Sequence, residues 1–254
     1  MVSAMSRPPR PEPVDFGFRR VDAAEKPSLV LAVFAKVAPR YDLMNDLMSG
    51  GLHRLWKASL LAQLKPRPEV RLLDAGGGTG DVAIGFVRRG GAEAIVLDPS
   101  QAMVEVGRDR AVDRGVMGAV AWLVGDAEDV PLAPGSVDAW VAAFSVRNMT
   151  RVGRALAEAR RVLRPGGRFL CLEFAPAAFP LLTPFYEAYS FRVLPVLGGL
   201  VAGDRDAYRY LAESIRRFPA PDAFAGLIEE AGLGRVAWRR LGGGIAAIHS
   251  AWRT

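Results

Sequence analysis

Thiols and imidazoles are scarce in this chain of 254 residues, which has one cysteine, Cys171, and two histidines, His53 and His249. A lone cysteine excludes an intrachain disulfide and agrees with a reducing compartment. So few histidines argue against a His-based metal site and against a Ser-His triad. Lysine is sparse as well (Lys26, Lys36, Lys57, Lys65), although the net charge is +6 and the pI about 9.9. The positive charge is therefore mostly arginine, and neither an RNA-binding motif nor an aromatic-studded basic run accompanies it. Nucleic acid is not expected as a partner, whereas weak attraction to an anionic membrane surface is. No apolar run reaches the roughly 20 residues that cross a bilayer. The nearest, over residues 179–202, is broken by Glu187, Arg192 and several prolines. The Pro- and Arg-rich start has no apolar core of a signal peptide. A cytoplasmic location is expected, peripheral at the inner face of the membrane where the chain meets lipid.

Half of the residues are hydrophobic and 24% are charged, the composition of one globular domain with appendages. Residues 1–15 read as a flexible tail and 16–68 as an N-terminal helical cover. Within the cover, Leu29, Val33 and Val37 and then Leu43 and Leu47 have helical spacing, and Pro39 ends or kinks that helix. A second helix runs from Leu52 to Leu64. From residue 69 onward strands and helices alternate. Strands are expected over 70–74, 93–98, 120–125, 136–144 and 167–174, with helices over 81–89, 101–115 and 151–163 between them. Such alternation implies a doubly wound, mostly parallel α/β sheet, with ligands at the carboxyl ends of its strands. An apolar helical insert occupies about 177–217, with helices over 181–194 and 204–217. Another helix over 221–231 precedes a closing antiparallel hairpin, 234–241 with 245–253.

The run from Arg71 to Asp81 carries most of the chemistry. A short apolar strand ends in Asp74, a glycine turn follows (Gly76, Gly77, Gly78, Gly80), and a helix opens at Asp81. Glycines accept positive φ and let a ligand lie against bare backbone. Gly78-Thr79-Gly80-Asp81-Val82-Ala83 formally fits a dinucleotide fingerprint. Two carboxylates bracketing the loop disfavour a pyrophosphate and suit a cationic ligand without phosphate, such as S-adenosylmethionine (SAM). Asp98, at the end of the next apolar run, would bind a ribose in either case. An aspartate at a strand end also serves as a helix N-cap, and that alternative applies to Asp98 and Asp126.

The pattern Asp74-x-Gly76-x-Gly78-x-Gly80, with Asp98, the pair Asp126-Ala127 and Leu163-Arg164-Pro165-Gly166-Gly167, resembles the class I SAM-dependent methyltransferases. A closer resemblance covers nearly the whole chain from about residue 16. The blocks are Tyr41-Asp42-x-Met44-Asn45-x-x-Met48-Ser49 running to His53 and Trp56, Arg161 to Glu173, Tyr189 to Pro195, and Tyr208-Arg209-Tyr210-Leu211 running to Ile215. They are similar to the signatures of the quinone-biosynthesis C-methyltransferases. Those enzymes methylate the ring of ubiquinone and menaquinone precursors. The chain departs from the pattern at Ala143, where a serine or glycine that contacts SAM is usual.

The resemblance implies a seven-stranded sheet, SAM as cofactor, no metal, and a prenylated hydroquinone as methyl acceptor. It implies that Gly76, Gly78, Thr79 and Gly80 approach the SAM tail and ribose, with Asp74 facing the α-ammonium. Asp98 would hold the ribose hydroxyls, and Asp126 with Ala127 the adenine. Arg147 and Asn148 would stand beside the methyl group, Arg147 stabilising a phenolate, and Tyr41 would close over SAM near the acceptor. Phe185, Tyr189 and Leu194 belong to an apolar lid for the prenyl tail. His53 and Trp56 read as packing. Another small phenolic acceptor, and a non-catalytic scaffold in a quinone-synthesis assembly, are the alternative readings. A homodimer and such a complex are both left open by the sequence.

Overall fold

The computed structural model describes residues 13–38, 41–175 and 205–254. Phe185, Tyr189, Leu194 and the helix expected over 181–194 lie outside the described residues. A two-stranded hairpin, β1 (Val14–Phe16) with β2 (Arg19–Val21), opens the described chain. Three helices follow: α1 (Lys26–Val37), α2 (Tyr41–Ser49) and α3 (His53–Leu64). The sequence suggests two helices here. α1 ends at Val37 and α2 begins at Tyr41, so the two are separate elements.

The sheet comprises β3 (Arg71–Ala75), β4 (Glu93–Asp98), β5 (Val120–Val124), β6 (Val137–Ala143), β7 (Leu163–Phe174), β8 (Gly234–Leu241) and β9 (Ala246–Trp252). Their order is β5-β4-β3-β6-β7-β9-β8. The first five strands in that row pair in parallel, and β9 runs antiparallel to both of its neighbours. The helices α4 (Asp81–Val87), α5 (Gln101–Asp113), α6 (Val152–Val162), α7 (Arg205–Arg217) and α8 (Pro221–Glu230) complete the described elements. β7 starts four residues before its expected place. Leu163 pairs with Val137 and Arg168 with Ala139, so Arg164–Gly167 bulges from the ladder. Pro165 has no N–H to give that ladder, and Gly166 turns with φ +76°.

Alternate residues of each central strand feed two cores. Leu72, Val96, Val141 and Leu170 pack with α3, α4, α5 and α7 on one face. Leu73, Ile95, Trp140 and Phe169 pack with α6 and α8 on the other. Strands buried on both faces are why they read as continuous apolar runs. On α5, Gly107 lets the Trp122 indole of β5 lie against the helix backbone. A Cβ there would overlap the ring and sit 3.1 Å from the Thr79 carbonyl carbon. Gly107→Ala is therefore expected to destabilise by roughly 1–3 kcal/mol through overpacking, overriding the ~1 kcal/mol gain in helix propensity. Urea unfolding checks this, and a raised midpoint would contradict it.

Candidate active site

The sheet reverses its winding between β3 and β6, and the chain leaving each strand meets at that crevice. The backbone after β3 runs up along β4, with the Gly76 and Gly77 N–H groups donating to the Leu97 carbonyl at 2.7 and 3.3 Å. Gly76 has φ +65°, and a Cβ on it would collide with Ser145, just after β6. Ser145 Oγ in turn donates to the Ala75 carbonyl at 2.9 Å. The two loops thus touch where only bare backbone fits. Gly80, with φ +75°, starts α4 against the Trp122 ring.

Two carboxylates lie under this loop. Asp74 is 1% exposed; its Oδ2 accepts the Ala83 N–H at 3.1 Å and its Oδ1 has no partner among the described residues. Burial pushes its carboxyl up to about 7, against the pull of the Ala83 N–H and Lys57. Asp98 is also buried, and accepts the Gly78 N–H with Oδ2 and the Ser100 N–H with Oδ1, each at 2.9 Å. Burial raises it to about 6, again opposed by those two donors. Asp81 behaves differently. Burial works to raise it, but Lys57 at 2.8 Å and Arg110 at 3.7 Å hold it below the usual carboxylate range. The cap of α5 is Ser100, whose Oγ accepts the Met103 N–H at 3.4 Å, so Asp98 is not the cap. Asp126 Oδ1 accepts the Glu128 N–H at 2.9 Å and shapes its own turn.

A cleft of about 790 Å³, its open mouth included, lies over these groups. Its polar lining comes from Gly76, Gly78, Asp98, Ser100 and Asp126, with Ala127 beside them in sequence. Its apolar lining includes Val30, Leu31 and Phe34 of α1 with Phe144 and Met149. Asn148 joins the lining beside them. Asp74, Thr79, Gly80 and Arg147 are not part of the wall. Thr79 is buried, and its Oγ1 accepts from Arg110 at 2.9 Å. Tyr41 opens α2; its side chain lies outside what is described. Ala143, the departure from the family pattern, packs against the core on the α3 side.

Arg147 sits in a short 3-10 turn, Val146–Asn148, with its side chain 3% exposed. Its guanidinium donates to Glu173, at 3.1 Å to Oε2, and to the Phe144 carbonyl. That acid belongs to β7, the strand beside β6. Burial pushes the Glu173 carboxyl up while Arg147 draws it down. Phe144 itself has φ +62°, a sparsely populated conformation for an aromatic residue. Its ring rests on Phe174 at 4.7 Å and near Trp56 at 6.2 Å. Phe144 and Ser145 follow the fourth expected strand, where a ligand rim belongs; Met149 and the α1 wall carry no such signal beyond the apolar spacing on α1. His53 is buried with Nδ1 3.0 Å from Ser49 Oγ, consistent with packing.

The donor set fits SAM. An Asp74 oxygen without a partner among the described residues and a raised Asp98 suit a cationic ligand, and the cleft lining adds the glycine loop and an apolar set. No cluster of three potential metal ligands occurs among the described residues.

Known proteins share this frame. The profile of the ubiE/COQ5 methyltransferase family matches residues 21–253. The chain is 58% identical over 244 residues to the "Ubiquinone/menaquinone biosynthesis C-methyltransferase UbiE" of Methylobacterium nodulans, covering 94% of this chain and 96% of that one. To the protein of the same name from Paracoccus denitrificans it is 51% identical, covering 97% and 99%. A solved SAM-dependent methyltransferase of Thermotoga maritima superposes with TM-score 0.63 at 21% identity, over 89% of this chain and 100% of that one; this likeness establishes the fold alone.

The raised acids bind protons more tightly in the folded than in the unfolded chain. The folded state therefore holds more protons between about pH 4 and 7, and stability falls as pH rises through that window. Urea midpoints of the ligand-free protein are expected to drop across it, and Asp74→Asn to flatten the drop. An unaltered slope would contradict the placement. Asp98→Asn turns an NH₂ toward the Gly78 or Ser100 N–H and is expected to weaken SAM binding about tenfold or more, measured by calorimetry.

Proposed function

The chain belongs to the ubiE/COQ5 methyltransferase family, and on that premise we propose that it C-methylates the ring of a prenylated hydroquinone in ubiquinone or menaquinone biosynthesis. It is a SAM-dependent C-methyltransferase on a class I fold. The observation that carries the reading is the cleft itself, whose lining combines the buried Asp98 and the glycine loop with an apolar set from α1, Phe144 and Met149, and includes Asn148.

SAM, when bound, supplies an electrophilic methyl on a sulfonium, a good leaving group. The chain's work is therefore to align, to exclude water and to make a ring carbon nucleophilic. Asp98 accepts from the ribose hydroxyls, Asp126 and Ala127 take the adenine edge, and Gly76 and Gly78 give backbone to the tail. Thr79 and Gly80 shape that loop from behind. Asp74, one layer below, faces the α-ammonium directly or through water. Phe144, Val30 and Phe34 keep water from the reacting centre.

A hydroquinol that loses a hydroxyl proton pushes charge onto the adjacent ring carbon. The ring oxygen then needs a donor. Asn148 is the residue of the predicted pair that lines the cleft, so the direct contact is assigned to it. Arg147 acts from behind, holding the Phe144 carbonyl and Glu173 and so fixing the turn that presents Asn148. Tyr41 of α2 remains the candidate to close over the acceptor, and Phe185, Tyr189 and Leu194 to take the prenyl tail. Contact with a membrane surface belongs to this reading, because the substrate tail is lipid-soluble. No helix among the described residues is long and apolar enough to cross a membrane.

Reduced short-tailed benzoquinol and naphthoquinol analogues, assayed with SAM, are expected to gain a methyl on a ring carbon. Asn148→Ala should lower kcat by roughly 100-fold and leave SAM affinity intact. Methylation on oxygen, or SAM binding with turnover of neither quinol, would overturn the proposal.

A further inference from the structure

We propose that Tyr210 is a positioning residue for the methyl transfer: its hydroxyl fixes the Asn148 amide so that the NH₂ faces the cleft, which selects an ionised ring oxygen. This rests on the quinol reading above. The Tyr210 hydroxyl donates to Asn148 Oδ1 at 3.0 Å, across 62 residues of chain. Tyr210 is buried on α7, and Asn148 is half-buried on the cleft wall.

The amide is planar, with its acceptor and its two donors on opposite sides. Once Oδ1 is engaged by a hydroxyl, the NH₂ is the end left for the cleft. A donor-only group stabilises a phenolate far more than a neutral hydroxyl, because hydrogen bonds to charged acceptors are roughly twice as strong. The amide orientation therefore decides which protonation state of the acceptor is favoured. A reversed amide would present its carbonyl and favour the unreactive hydroxyl form.

The tyrosine has little freedom to let go. Its ring stacks on Phe16 of β1, with centroids 4.2 Å apart and planes at 19°. The same hairpin is tied to α7 by the Phe18 N–H, which donates to Glu213 at 3.0 Å. Burial pushes the Tyr210 phenol well above its ordinary value, so it stays a donor across the working pH range. The N-terminal hairpin, remote from SAM in sequence, thus sets one rotamer in the active site.

The test uses the full chain, SAM and a reduced short-prenyl benzoquinol. Tyr210→Phe is expected to lower kcat about tenfold, leave the SAM Kd unchanged, and move the acid limb of the kcat–pH profile to higher pH. Asn148→Asp, which sets a second anion beside the phenolate, should lose more activity than Asn148→Ala. In an Asn148→Ala background, Tyr210→Phe should cost nothing further. Equal cost of Tyr210→Phe in both backgrounds, an unmoved acid limb, or full activity in Asn148→Asp would overturn the proposal while the functional reading stands. A wild-type chain that binds SAM yet methylates no quinol would overturn both.

Discussion

Everything in this site follows from carboxylates held nearly out of water at the switch point of the sheet. Asp74 and Asp98 end adjacent parallel strands, so the ladder that pairs Asp74 with Val96 also brings the two acids close. Their burial is unfavourable to the charged form, and their hydrogen bonds come from neutral backbone N–H groups. A ligand carrying positive charge relieves that cost; one carrying phosphate adds to it. Electrostatics therefore separates a sulfonium donor from a dinucleotide where the glycine pattern alone does not.

The acid in third place shows how a similar residue is put to another use. Asp81 begins α4 and is held ionised by Lys57 and Arg110 from two other helices. Arg110 also donates to Thr79. That cluster pins the far end of the glycine loop, so the loop is braced from below by Asp74 and from the side by Asp81. The opposite wall is braced through the N-terminal hairpin, Tyr210 and the Arg147–Glu173 pair. Both braces meet at the Gly76–Ser145 contact, where a Cβ has no room.

Much of the frame was legible because parallel strands buried on both faces are long apolar runs ended by acids and glycines. Strand bounds fell within a residue or two, except where β7 carries a four-residue bulge that reads as a plain turn. The β1–β2 hairpin was not foreseen, since three-residue strands give too little periodicity. Within the site, Asp98, Asp126, Gly76 and Gly78 fell on the cleft wall as strand-end positions should. Arg147 and Asn148 were read together because both follow the fourth strand. A 3-10 turn points adjacent side chains in different directions, and only Asn148 reached the wall. The partners that decide this, Glu173 and Tyr210, lie 26 and 62 residues away from the residues they hold. Phe144 could be placed at a strand end, but nothing in sequence announces an aromatic residue at positive φ there.

The most direct measurement is the proton balance of SAM binding. Calorimetry near pH 6.5 in buffers of different ionisation enthalpy reports protons gained or lost per SAM bound. Asp98 and Asp74, which burial raises to about 6 and about 7, should ionise beside a cationic ligand. The account predicts net proton release that diminishes in Asp74→Asn. Binding with no proton exchange, or with proton uptake, would contradict it.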